Sequence, residues 1–232
     1  MTGAKPPGVF AAAAAILRKD LRLELRTQET ITTAAIFTVS TFVVFHFALD
    51  RNELAGDLAA GVFWVTLLFS SVLAINRLLS NERQQGGYEA LLLAPIDRNA
   101  ILFAKAGFLL IALTLLGAFA LLAFALLLLG PNLSVDMLPL VPVLLLANIG
   151  IAAIGTLISA LATDTNAREL LVPLMSLPLF TPLLIGAARA TAPLMELAPH
   201  TEQFGRWLGL MALYDSVFAL LAFAVFEFII ED

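Results

Sequence analysis

Six long apolar segments dominate the pattern of hydrophobic and polar positions along this chain. They cover residues 31–49, 58–79, 101–129, 137–162, 170–188 and 207–230. A helix needs about 20 apolar residues to cross the roughly 30 Å of hydrocarbon in a bilayer. The pattern therefore predicts an all-α integral membrane protein with six transmembrane helices. We see no internal repeat and no long linker, which predicts a single transmembrane domain over residues 1–232.

The segment before the first span, residues 9–28, has an amphipathic pattern. Leu17, Leu21 and Leu25 recur at four-residue steps with basic side chains between them, as expected for a helix lying on the membrane surface. Its central sequence LRLEL also alternates as a strand does. We favour the helix, because an unpaired strand at the lipid surface would leave backbone groups without hydrogen bonds.

Composition supports the membrane assignment, and the distribution of charge gives its orientation. The chain is 60% hydrophobic and 13% charged, against about 25% charged in soluble domains. Ten basic residues fall in the N-terminal segment and in the second and fourth loops: Lys5, Arg18, Lys19, Arg22, Arg26, Arg77, Arg83, Arg98, Lys105 and Arg168. Three fall on the other side: Arg51, Arg189 and Arg206. Because short cytoplasmic loops carry the excess of basic residues, both termini are predicted inside.

The predicted cytoplasmic loop 80–100 contains an apolar block, Tyr88 to Leu93, that a simple connection does not need. Gly86 and Gly87 provide a flexible break before it, and Pro95 ends it, since the residue before proline is pushed out of helix. We predict a short helix of about two turns across the cytoplasmic face, covered by a soluble partner. The alternative is that Leu91 to Leu93 dip into the lipid interface or extend the third span.

The sequence lacks the residues that most catalytic and nucleotide sites require. It contains no cysteine, no GxxxxGK[ST] phosphate loop and no HExxH motif, so any ATP hydrolysis is expected in a partner. An intramembrane enzyme is not expected either, because the sequence lacks paired catalytic groups. We therefore predict a non-catalytic subunit. A net charge of −5 in a membrane protein gives no support for binding nucleic acid.

Several residues within the spans are candidates for function. Asp215 falls about eight residues into the sixth span, where an acid is costly and usually faces a partner or cavity; the alternative is a structural hydrogen bond with Asn148 or a threonine. Tyr214 precedes it. The fifth span contains Pro173, Pro178 and Pro182, which are expected to bend it. Such a helix marks a translocation pathway or simply packs in a bent form.

The two histidines are weak candidates for binding haem. His46 lies near the outer end of the first span, where a neutral, hydrogen-bonded histidine is the commoner arrangement. His200 lies in an outer loop, where solvation is the default. Gly205 and Gly209 form one GxxxG pair at the start of the sixth span, a pattern found in helix dimers.

Three stretches of the chain carry a resemblance to a known family. They are Phe63 to Ala106, Leu171 to Ala190 with its prolines, and the ending LYDSVFALLAFAVFEFIIED. They resemble the CcmB family, the permease subunit of the cytochrome c maturation ABC transporter, and together cover most of the chain from Leu58 onward. After the second span the family more usually has an aromatic residue followed by aspartate. This chain has Leu79-Ser80-Asn81-Glu82, which keeps an acid without the ring.

The resemblance implies an ABC-2 exporter-like fold in a bacterial inner membrane, with two permease copies and two copies of a cytosolic ATPase, CcmA. It implies association with CcmC, CcmD and the haem chaperone CcmE. It also implies that this chain binds no cofactor alone and that the complex handles haem. The loop would be the coupling helix on the ATPase, with Glu82, Gly86, Gly87, Tyr88, Glu89, Ala90, Leu91, Leu92 and Pro95 as the coupling residues.

The function implied is to couple ATP hydrolysis by CcmA to haem export, or to release of the haem-loaded chaperone CcmE. The alternative is an ABC-2 permease for another substrate, such as a lipid, a polysaccharide or a drug. That alternative predicts the same loop, but neither the proline pattern of the fifth span nor the YD…FE ending.

Overall fold

The structure, a computed structural model, describes residues 8–49, 54–84, 97–128, 138–161, 168–196 and 202–231. These residues form seven α-helices and no strand, which confirms the all-α prediction. The helices are α1 (Val9–Thr27), α2 (Glu29–Ala48), α3 (Gly56–Gln84), α4 (Arg98–Leu128), α5 (Leu140–Leu161), α6 (Arg168–Thr191) and α7 (Phe204–Glu231). A short 3-10 helix, Ala192–Met195, follows α6.

Helices α2 to α7 are each long and apolar enough to cross a membrane, and they coincide with the six predicted spans. The largest difference is at the end of α3, predicted at residue 79 but observed at Gln84. Glu82 therefore lies in the last turn of a helix, and the connecting loop is shorter than residues 80–100. The other predicted coupling residues, Gly86 to Leu92 and Pro95, lie outside the described residues.

Helix α4 begins at Arg98 because Asp97 caps it. The Asp97 Oδ1 atom accepts a hydrogen bond of 2.8 Å from the backbone N–H of Asn99, which satisfies one of the free donors at a helix N-terminus. The predicted coupling loop is thus followed by a capped, regular helix start.

A sharp elbow joins α1 to α2. Gln28 between them has φ +52°, the left-handed conformation, and ends α1. The carboxylate of Glu24 reaches past the elbow and accepts hydrogen bonds from the backbone N–H groups of Thr30 and Ile31, at 3.0 and 2.9 Å. One side chain of α1 therefore caps α2, which fixes the direction of the chain at this corner.

The predicted surface helix forms as α1. The side of α1 that faces the bundle, however, is not the row of Leu17, Leu21 and Leu25. The residues of α1 that are buried are Ala12, Ala13, Ile16, Asp20 and Glu24. Leu17 and Leu21 are half-buried against the bundle, whereas Leu25 is 73% exposed. The small alanines allow α1 to approach α4 closely, and two acids are turned inward.

The centre of the bundle is formed by α3, α4 and α5, while α2 and α7 expose most of their surface. Phe124 of α4 packs edge-on against Phe42 of α2 and Phe63 of α3, each with ring centroids 5.3 Å apart. Trp64 of α3 donates a hydrogen bond of 2.9 Å to the hydroxyl of Thr191 at the end of α6. These contacts place α2, α3, α4 and α6 at fixed positions around the core.

Candidate functional site

The strongest candidate within the spans is Asp215, which lies where α5, α6 and α7 meet. It is only 6% exposed. Its carboxylate lies against Gly150 of α5, and a Cβ built on Gly150 would clash with both Asp215 Oδ1 and Leu183 of α6. The absence of a side chain at Gly150 thus makes the space that the carboxylate occupies.

Neither carboxylate oxygen of Asp215 has a hydrogen-bond partner among the described residues. The expected bond from Asn148 is absent because Asn148 faces another helix. It lies two residues before Gly150, about 200° around α5, and its Nδ2 is 3.5 Å from a Cβ built on Gly117 of α4. The structural alternative for Asp215, a hydrogen bond to Asn148 or to a threonine, is not found among the described residues. The predicted functional role remains a prediction.

Tyr214 connects α7 to the proline-containing helix. Its hydroxyl donates a hydrogen bond of 2.6 Å to the carbonyl of Leu179 on α6. Pro182 has no N–H to donate to the carbonyl of Pro178, so this turn of α6 is weakened. Tyr214 supplies a donor to the adjacent carbonyl, as neighbouring helices do for proline-interrupted spans.

Helix α6 continues through all three prolines, and it is not broken at any of them. Pro173 is half-buried, while Pro178 and Pro182 are exposed on the surface of the bundle. An apolar cavity of about 380 Å³ lies between α6 and α7. Its lining includes Pro182, Gly186, Trp207, Met211, Tyr214 and Phe218. Of the three prolines, Pro182 therefore borders a lateral groove between α6 and α7.

A second cavity, of about 490 Å³, lies at the predicted outer ends of α3, α6 and α7. It brings together Asp57, Arg189, Glu196, Glu202 and Trp207. The Arg189 guanidinium lies 3.6 Å from the carboxylate of Asp57, and both side chains are largely exposed. The sequence analysis missed this cluster, although charged residues at the outer ends of successive spans are a signal that could have indicated it.

His46 makes a hydrogen bond of the kind expected for a histidine at the interface. Its Nδ1 donates to the backbone carbonyl of Leu127, 2.6 Å away near the end of α4. The imidazole also packs edge-on against Phe47, with ring centroids 5.2 Å apart. The ring thus helps to join α2 to α4. His200 lies outside the described residues.

A buried ion pair at the predicted cytoplasmic side was also not anticipated. Lys105 Nζ lies 2.7 Å from Asp20 Oδ2, and both side chains are less than 10% exposed. Lys105, counted above among the cytoplasmic loop charges, lies within α4. Lys19 contacts the second carboxylate oxygen of Asp20 at 3.0 Å from a half-exposed position. This pair ties α1 to the first turns of the helix that follows the predicted coupling loop.

Comparison with known proteins gives an independent finding. The family model described as CcmB protein matches residues 11–229. A protein named "Heme exporter protein B" from Rhodobacter capsulatus is 29% identical over 177 residues, 75% of this chain and 79% of that protein. Its namesake from Haemophilus influenzae is 27% identical over 214 residues, 90% and 93% of the two chains. The Escherichia coli K12 protein is 32% identical over 91 residues, 39% and 41% of the two chains.

Proposed function

This chain belongs to the CcmB family, the permease component of an ABC transporter for haem export and cytochrome c maturation, and we propose that it is moved by a separate CcmA-type ATPase. The observation that carries the function is the family match over residues 11–229. The chain is a multi-pass membrane protein, and we place it in the bacterial inner membrane. All three relatives described above are named as haem exporters, which favours this function over a lipid, polysaccharide or drug permease.

We propose that the loop between α3 and α4 couples the ATPase to the membrane. It joins two long helices, one ending at Gln84 and the other beginning at Arg98. A push on this loop would act directly on both spans. The buried pair of Lys105 and Asp20 would carry the movement on to α1. The apolar block Tyr88 to Leu93 supplies the surface that the ATPase covers.

Leu92→Asp and Glu89→Lys are each expected to abolish co-purification of CcmA while the protein remains inserted in the membrane. Leu92→Asp places a charge in the apolar block, which is costly to bury in an interface. Glu89→Lys replaces a negative charge by a positive one, which reverses the charge that this loop presents to the ATPase. Detergent extraction followed by affinity purification of the permease measures the bound ATPase.

Glu202→Lys is the matched control, because it makes the same charge change at an exposed position on the predicted outer side. It is expected to retain CcmA in full. Normal recovery of CcmA with both loop variants would refute the coupling proposal.

Asp215→Asn is expected to leave folding intact and to reduce cytochrome c maturation. The substitution keeps the size of the side chain and removes a buried carboxyl group that has no hydrogen-bond partner among the described residues, so stability should not fall. Loss of one contact that requires the acid during the transport cycle, worth roughly 1.5 kcal/mol, corresponds to about a tenfold loss of activity. The yield of haem-stained c-type cytochromes measures it.

The control is Ser216→Ala, the next residue, which is exposed and whose hydroxyl bonds only within its own helix, to Ala212. It should mature cytochromes normally. Asp215→Asn with full maturation would show that the acid has no role in the transport cycle.

We further propose that two copies of the chain act together, with CcmC, CcmD and CcmE as partners. Gly205 and Gly209 support the pairing, because both are exposed on α7 and nothing lies within 4 Å of a Cβ built on either. Glycines at this spacing allow two helices to approach closely.

Between haem export and release of haem-loaded CcmE, we favour release. The chain has two histidines and no cysteine, and His46 already uses one ring nitrogen in a hydrogen bond. Haem accumulation by the purified complex in sealed vesicles would overturn this preference.

A further inference from the structure

The exposed half of α1 carries two different stripes. With about 100° of rotation per residue, Arg18, Arg22 and Arg26 fall within about 80° of one another and form one row. All three are exposed, and none forms an ion pair with a described residue. Lys19 lies next to this row on the helix circumference, on the side of Arg26, and extends it. We call Arg18, Arg22 and Arg26 the arginine row.

The acids of α1 are removed from this outer surface. Asp20 and Glu24 are each 6% exposed. Asp20 is paired with Lys105 of α4 at 2.7 Å, and Glu24 accepts the two backbone hydrogen bonds that cap α2. A helix with both kinds of charge in its sequence thus presents only positive charge along its outer row.

The second stripe is apolar and lies directly beside the arginine row. Phe10 and Leu25 are 80% and 73% exposed, at about 80° and 20° from Arg18 on the side away from Arg26. An apolar stripe next to a basic stripe is the arrangement of helices that lie in a membrane interface.

Contacts of Phe10 set the depth of this helix. Its ring stacks on Phe103 of α4, with centroids 6.0 Å apart, and Phe103 lies 6.3 Å from Phe223 of α7. All three rings are exposed and belong to the outer surface of the bundle, where the spans face lipid. The apolar stripe of α1 is therefore continuous with the lipid-facing surface, which places the arginine row at the level of the headgroups.

We propose that the arginine row binds the phosphate groups of anionic phospholipids in the cytoplasmic leaflet. Guanidinium groups match phosphate oxygens in a two-point geometry, and three of them at successive turns span neighbouring headgroups. The lipid contact would hold α1 at the membrane surface, and through Asp20 and Lys105 it would hold the start of α4. This proposal does not depend on what the transporter moves.

The test is lipid retention by the purified full-length chain, exposed in neutral detergent to equal amounts of phosphatidylglycerol and phosphatidylcholine and analysed by native mass spectrometry. The unmodified protein should retain phosphatidylglycerol preferentially. Arg18→Gln/Arg22→Gln/Arg26→Gln should lose that preference by on the order of a hundredfold, the combined effect expected for three basic residues at an anionic surface. Arg206→Gln, an exposed arginine at the other end of the bundle, should leave it unchanged.

The variant Arg18→Lys/Arg22→Lys/Arg26→Lys shows whether the glutamine variant loses its lipid preference through misfolding or through loss of the binding site. It keeps the charge and should retain part of the preference, more than the glutamine variant and less than the unmodified protein, because an ammonium group cannot make the two-point contact. The size-exclusion profile of the glutamine variant should match that of the unmodified protein. Equal retention of both lipids by the unmodified protein would overturn the proposal. So would a glutamine variant that keeps the preference for phosphatidylglycerol.

Discussion

Lys105→Met is expected to loosen α1 from the bundle and to lower stability by about 3 kcal/mol, the lower end of the range for breaking a buried ion pair. The substitution keeps most of the length of the side chain but leaves the carboxylate of Asp20 buried without its closest partner, the Lys105 ammonium group 2.7 Å away. The residual contact with Lys19 explains why the lower end applies. The apparent melting temperature in detergent should fall, and trypsin should cut at the arginines of α1 before it cuts elsewhere.

Two further variants separate the ion pair from other effects at this position. Lys19→Met removes the half-exposed cation on the same carboxylate and should cost less than about 1 kcal/mol. Asp20→Asn combined with Lys105→Met removes both charges and should recover much of the loss, because no charge is left buried. Equal effects of Lys19→Met and Lys105→Met would show that burial does not govern this contact.

Gly150→Val is expected to have the second large effect, a loss of about 1–3 kcal/mol from overpacking. The new side chain would occupy the space of the Asp215 carboxylate, and its Cβ would approach Leu183 Cδ2 to 2.6 Å. Three helices meet at this point, so the side chains of Asp215 and Leu183 would have to shift, which would loosen the packing of α7 against α5 and α6. The melting temperature and the fraction of monodisperse protein after extraction both report this displacement.

The matched control is Gly205→Val on α7, where a Cβ meets nothing within 4 Å. It makes the same chemical change in open space and should be close to neutral in the isolated chain. Gly150→Ala combined with Asp215→Ala should be more stable than Gly150→Ala alone, since removal of the carboxylate makes room for the new methyl group. A Gly150→Val protein as stable as the Gly205→Val protein would contradict the packing described for α5, α6 and α7.

The spans could be predicted from the sequence because hydrocarbon thickness dictates the length of an apolar run. Helix ends were less accurate, since hydropathy marks the limit of the lipid and not the end of the helix. At the end of α3, Glu82, Arg83 and Gln84 are polar but have good helix propensity, so the helix continues to Gln84. The amphipathic segment was correctly predicted as a helix despite its alternating LRLEL sequence, because membrane surfaces require backbone groups to be paired.

Contacts between distant residues could not be predicted in this way. A solitary acid in a span identified Asp215 as unusual, but its contact with Gly150 depends on how α5 and α7 cross. Asp20 and Lys105 are 85 residues apart, and polarity alone would place both in water. The outer cavity joins Asp57, Arg189 and Glu202 from three separate helix ends. No periodicity within a single helix carries information about these contacts.

This chain is a permease subunit in cytochrome c maturation, and we propose that a separate ATPase drives it. The most direct measurement is haem staining of c-type cytochromes in a strain that lacks its own CcmB protein and expresses this chain with its partner ATPase. We predict stained cytochromes with the unmodified chain and none with Leu92→Asp at equal membrane levels. Absence of staining with the unmodified chain, or full staining with Leu92→Asp, would contradict the account.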